Sequence, residues 1–141
     1  MNEFITEGAL SFNDENHLNN HLNYLFRTDK AQKWTNEYTE ENELFTFNKE
    51  GKLESDLLDD PKERQMLKDG FFEALKTYPL DKLRTVRMEC KNDEYSFTED
   101  MYTAMIIPMM DLHKIFPVIL FVTHVDQLDN YCHYHAIIYV R

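Results

Sequence analysis

The feature that most constrains this chain is a pair of apolar, β-rich runs at its C-terminal end. Ile115 to Val125 and Cys132 to Val140 flank the turn-rich stretch Asp126-Gln-Leu-Asp-Asn-Tyr131. Two such runs joined by a short polar connection predict an antiparallel β-hairpin. Each run is apolar at consecutive positions, so each has both faces buried. The pair is therefore expected in the middle of a sheet.

The rest of the chain reads as helices and strands in alternation. Glu3 to Phe12 can form a first strand. Asn13 and Asp14 are good helix N-caps, and Leu18, Leu22, Leu25 and Phe26 recur at helical spacing, which predicts a helix from Glu15 to about Trp34. The acidic segment that follows, broken by Leu44, Phe45 and Phe47, reads as irregular, and Asn48-Lys-Glu-Gly51 as a turn. Asp59 and Asp60 before Pro61 start a second helix, with Leu67, Phe71 and Leu75 as its stripe and Tyr78-Pro79 as its stop. Leu83 to Cys90 predicts a strand and Asn92-Asp93 a turn. Thr98 can cap a third helix containing Met101, Met105, Ile106 and Met109, with Pro108 inside it. The order β-α-(irregular)-α-β-α-β-β predicts one α+β domain over residues 1–141, a mainly antiparallel sheet flanked by helices.

Composition narrows the function classes. The chain is 43% hydrophobic and 13% aromatic with three Gly and four Pro, which excludes a disordered tail. Its two cysteines, Cys90 and Cys132, are far apart and lack CxxC spacing. They fit a reducing cytoplasm better than a disulfide scaffold. The N-terminus lacks the basic and apolar regions of a signal peptide, and Phe116 to Val122 is too short to span a membrane. A soluble, cytoplasmic protein with no membrane partner is expected. The formal net charge is −11. Acids crowd Glu37 to Asp69, read as a solvated face, while bases gather at Arg27, Lys30 and Lys33 and at Lys82, Arg84 and Arg87.

Three of the six histidines lie in the C-terminal pair of runs. His133 and His135 are two residues apart, so on a strand they share a face. His124, near the end of the preceding run, would be brought alongside by the turn. Three neutral imidazoles can converge on one divalent ion, and Asp126 could orient one of them. Zn²⁺ would also accept three histidines. On the first helix, His17, His21 and Tyr24 stand at i, i+4 and i+7 and share a stripe. A tyrosine hydroxyl can attack a phosphodiester, but periodicity alone makes Tyr24 a boundary residue, and Tyr38, Tyr78, Tyr95 and Tyr102 are equally eligible.

The segment FPVILFVTHVDQLDNYCHYHAIIYV resembles the histidine motif of plasmid and transposon relaxases, in which a strand ending in His-x-Asp leads through a turn into His-x-His and an apolar strand. The segment LNNHLNYLFRTDKAQ resembles the tyrosine motif of the same family, a Tyr followed six residues later by a Lys; here these are Tyr24 and Lys30. The middle segment ELFTFNKEGKLESD, then a helix, then LRTVRMEC and a helix, follows the order of the MobP and MobL-like branch from Gram-positive bacteria. The resemblance implies an HUH (two-histidine) endonuclease fold and a Mn²⁺ or Mg²⁺ ion on His124, His133 and His135. It further implies attack by Tyr24 on single-stranded DNA at an origin of transfer, leaving a phosphotyrosine link to the DNA 5′ end and a free 3′ hydroxyl. Arg27, Lys30 and Lys33 would then contact the DNA.

Two other functions compete. An acidic chain of this size suits a non-enzymatic inhibitor encoded by a mobile element or phage, an anti-CRISPR or anti-restriction protein. Its partner would be a cationic nucleic-acid-binding protein whose DNA channel it occupies. The third possibility is a zinc hydrolase, for which only Asp126 or Asp129 offers a general base.

Overall fold

A computed structural model of the protein describes residues 3–6, 11–26, 40–58, 60–91, 99–126 and 131–141. Six strands form one sheet in the order β1-β4-β6-β5-β2-β3, and every neighbouring pair is antiparallel. The strands are β1 (Glu3–Thr6), β2 (Glu40–Phe47), β3 (Leu53–Leu57), β4 (Leu83–Lys91), β5 (Val118–Asp126) and β6 (Tyr131–Tyr139). The helices are α1 (Glu15–Phe26), α2 (Pro61–Leu75) and α3 (Glu99–Ile115). The fold is α+β, with helices against both faces of the sheet.

The two apolar C-terminal runs occupy the centre of this sheet as β5 and β6. Their residues alternate between two cores. Leu120, Val122 and Ile137 pack with Leu18, Leu22, Leu25 and Phe26 of α1 and Leu75 of α2. Phe121, Ala136 and Ile138 pack with Met109 of α3 on the opposite face. A register shift between Val118 and Leu120 inserts one extra residue, so Val118 joins the α3 side although Leu120 faces α1.

Local signals set the ends of the elements. Asp14 Oδ1 accepts from the His17 backbone N–H at 2.8 Å, and His17 Nδ1 accepts from the Asn13 N–H at 3.1 Å. Asp14 is thus the N-cap of α1, and the His17 ring turns back to the N–H of the residue before the cap. Asp60 caps α2, its carboxylate accepting from the Lys62 N–H, with Pro61 at the first helical position. Gly51 has φ 77° in the turn between β2 and β3, where Asn48 Oδ1 accepts from the Glu50 and Lys52 N–H groups.

Three expectations need correction. The acidic segment read as irregular forms β2 and then, beyond the turn, β3. Its strand state comes from pairing with β5, which sequence periodicity does not register. Ile115 ends α3 and does not begin β5, because Pro117 separates them and lacks the N–H that would continue the helix. Phe12 is a buried residue preceding α1, outside any strand. The continuation of the first helix to Trp34, Arg27, Lys30, Lys33, the Asn92-Asp93 turn and the Thr98 cap lie outside the described residues.

Candidate functional site

Register places the C-terminal histidines. In β5 and β6, His124 is opposite His133 and Val122 is opposite His135. On the other side of β6, Glu89 of β4 is opposite His133 and Arg87 is opposite His135. Alternation along antiparallel strands therefore gives positions 124, 133, 135, 87 and 89 one shared face of the sheet. His135 is 5% exposed and follows the same alternation as Ile137, which packs against α1. Asp126 ends β5, opposite Tyr131 of β6 and Glu40 of β2, two positions beyond His124.

Helix α1 carries the other half of the site across that face. Its leucines bury completely, and this fixes the roll of the helix. His21 and Tyr24, three residues apart, are then turned towards β4 and β6. The Tyr24 ring meets the His135 ring edge-on at 5.1 Å between centroids. The His21 ring also meets His135 edge-on, at 6.0 Å. His21 Nε2 lies 2.9 Å from Thr85 Oγ1 of β4, a hydrogen bond that ties the helix to the sheet. Phe12 closes the cluster from above, 5.5 Å from the His21 ring. Tyr24 keeps 39% of its surface exposed, so its hydroxyl-bearing ring borders solvent while His135 beneath is shut off.

Burial and, secondarily, the neighbouring His17 lower the His21 pKa to about 4. His21 is thus a neutral imidazole at neutral pH, able to donate from one nitrogen and accept at the other. The face assembled here contains an exposed phenol, a neutral imidazole, a sequestered imidazole and, from β4, an arginine position opposite His135. Such a set can present a nucleophile beside groups suited to a divalent ion or a phosphate.

Of the residues singled out from sequence, Tyr24 and His135 come into ring contact, and His124 and His133 are cross-strand partners in backbone register. His17 bonds back to the residue before the helix cap, which accounts for its place on the stripe. Sequence reasoning missed Thr85 and gave His21 and Arg87 no role in the site. The three-residue spacing of His21 and Tyr24 was a visible clue. Thr85 and Arg87 had none, because their relation to His21 and His135 exists only through strand register. The side chains of His124, Asp126 and His133 lie outside the described residues, so only His135 of the expected histidine triad is described as a side chain. Among the described side chains, there is no group of three His, Cys, Asp or Glu that could hold a metal.

Comparison of the chain with models of known families, with curated proteins and with solved structures gives no match.

Proposed function

We propose that this chain is an HUH-type nickase of single-stranded DNA that uses Tyr24 as its nucleophile and a divalent ion held by His124, His133 and His135. The observation that carries the reading is the ring contact between Tyr24 and His135 at 5.1 Å, made on the strand whose register sets His133 opposite His124. A nucleophile and an ion that act on one phosphate must lie close together, and this contact gives Tyr24 that proximity.

The donor set suits such an ion. Three imidazoles from two adjacent strands match Mn²⁺ or Zn²⁺ better than Mg²⁺, a hard ion that prefers oxygen ligands. When bound, the ion polarises the scissile phosphate and offsets its developing charge. The remaining roles belong to the chain. The Tyr24 hydroxyl forms the O–P bond while the P–O3′ bond breaks. The phenolic proton ends on the departing 3′ oxygen. His21, tied to Thr85, holds α1 at the height that keeps Tyr24 over β6. Arg87, opposite His135, supplies positive charge on the same face. Asp126, two positions beyond His124 on β5, would be the carboxylate that orients an imidazole.

The test is a denaturing-gel assay with a set of single-stranded oligonucleotides and Mn²⁺. The wild type is expected to form a covalent DNA adduct that Tyr24→Phe does not form. An adduct that persists in Tyr24→Phe assigns the attack to another residue.

The charge favours a second reading. Carboxylates of Glu54 and Asp56 on β3 and of Glu63, Asp69 and Glu73 on α2 are all exposed, within a net charge of −11. That surface suits an inhibitor that occupies a cationic nucleic-acid channel. Absence of any adduct on single-stranded DNA in the presence of Mn²⁺ moves the weight to this reading.

A further inference from the structure

The two cysteines are 42 positions apart in sequence, and register brings them together. Cys90 of β4 is the direct cross-strand partner of Cys132 of β6. Opposite residues of an antiparallel pair have Cα atoms about 4.5 or 5.5 Å apart. Disulfides span Cα separations of about 4.4–6.8 Å, so both kinds of cross-strand position fall within reach. Far apart in sequence and without CxxC spacing, they are made a pair by the sheet. We propose that Cys90 and Cys132 form a reversible cross-strand disulfide, a thiol-oxidation site that staples β4 to the histidine-bearing strand β6.

The position of the pair gives the bond a consequence. Only Lys91–Tyr131 lies beyond it in the β4–β6 ladder, so the staple sits at the end of that ladder. The next pair inwards is Glu89–His133, and the third is Arg87–His135. Cys90 is also paired with Phe4 of the edge strand β1, so the bond would join the second and third strands of the sheet. The end of an antiparallel ladder frays more readily than its middle. A covalent link there holds position 133 in register, and its reduction returns that end to hydrogen bonding alone. The inference rests on strand register and is independent of the DNA-nicking reading.

The chemistry is thiol–disulfide exchange with a small disulfide such as oxidised glutathione. One cysteine thiolate attacks the glutathione disulfide, forming a mixed disulfide and releasing one glutathione thiolate. The second cysteine thiolate attacks the protein-bound sulfur, closing the Cys90–Cys132 bond and releasing the second glutathione. Two protein thiols are oxidised, and one glutathione disulfide is reduced to two thiols.

The experiment treats the folded full chain with oxidised glutathione under native conditions. It then reads free thiols after denaturation and mass after alkylation. The expected result is loss of both thiols, an intact mass lower by two hydrogens and a thermal midpoint higher by roughly 5–10 °C. Dithiothreitol should reverse all three changes. Cys90→Ser and Cys132→Ser should each accept glutathione as a stable adduct and show no such rise. Two persistent free thiols, two glutathione adducts on one chain, or closure seen only in urea would each overturn the proposal. A disulfide-linked dimer of two chains would do so as well.

Discussion

At the scale of single residues, the clearest anomaly lies on α2. Arg64 and Lys68, four positions apart, are 7% and 6% exposed and occupy the same helical stripe as Phe71 and the fully buried Leu75. Arg64 Nε is sealed from solvent and has no hydrogen-bond partner among the described residues. A guanidinium N–H sealed from water without a partner loses hydration that nothing replaces. Arg64→Met keeps most of the stem and removes the charge. It is expected to raise the thermal midpoint by roughly 3–8 °C, read by calorimetry. A lower midpoint would mean that the guanidinium is stabilised by groups outside the described residues. His21 gives the opposite case. Its bond to Thr85 joins helix to sheet, so His21→Ala should cost about 1–2 kcal/mol in urea unfolding. The same variant should also slow adduct formation by the intact Tyr24. A loss of stability with unchanged adduct formation would confine His21 to a structural role.

At the scale of elements, the junction between α3 and β5 is held by one histidine. The His113 ring stacks on Phe47 at 3.8 Å with an interplanar angle of 2°, and its Nδ1 accepts from the Val118 N–H at 3.0 Å. Burial lowers its pKa from 6.5, and an Nδ1 that accepts a hydrogen bond must also be unprotonated. The folded protein therefore binds this proton less readily than the unfolded chain. Stability is complete above the unfolded value and declines as pH falls through it, until the folded ring protonates as well. Urea midpoints should fall as the pH drops through the unfolded value of about 6.5. His113→Asn, which keeps an acceptor near Nδ1, should flatten that part of the profile. An identical slope in the variant would assign the pH dependence to other groups. Elements also differ in how far they can be read from sequence. The caps at Asp14 and Asp60 and the Gly51 turn are local devices, and they are where sequence indicates. Strand β2 is hidden from sequence because Glu40, Glu41 and Glu43 are poor strand formers and its apolar residues do not alternate. Pairing on both sides, with β5 and with β3, overrides that preference.

At the scale of the whole molecule, charge acts through a field that no single contact contains. A net charge of −11 on 141 residues repels itself in the compact state more than in the expanded chain. Added NaCl screens that repulsion, since the Debye length shortens from about 30 Å at 0.01 M to about 8 Å at 0.15 M. The thermal midpoint should therefore rise across this range. A falling midpoint would mean that local ion pairs outweigh the global repulsion. Three described pairs, Lys68–Asp69, Lys76–Glu73 and Lys114–Asp111, each join residues close in sequence and include an exposed carboxylate. Pairs of this kind contribute little, which is why the rise is expected to prevail.

The sequence by itself determined the periodic parts of this protein. The leucine stripe of α1, the apolar centre formed by β5 and β6, and the helix caps follow from side-chain spacing and short-range hydrogen bonding. It also marked His124, His133, His135 and Tyr24 as chemically notable, because two-residue spacing on a strand and helical spacing on α1 are local geometry. Tertiary structure alone decided which distant residues face one another. Tyr24 meets His135 because the buried leucines fix the roll of α1. Thr85 reaches His21, and Arg87 and Glu89 come opposite His135 and His133, because β4 pairs with β6 in one register. The same register turns Cys90 and Cys132 from separated residues into neighbours. Slipping β4 by one residue against β6 would exchange the faces of all these positions while leaving every local signal in the sequence unchanged.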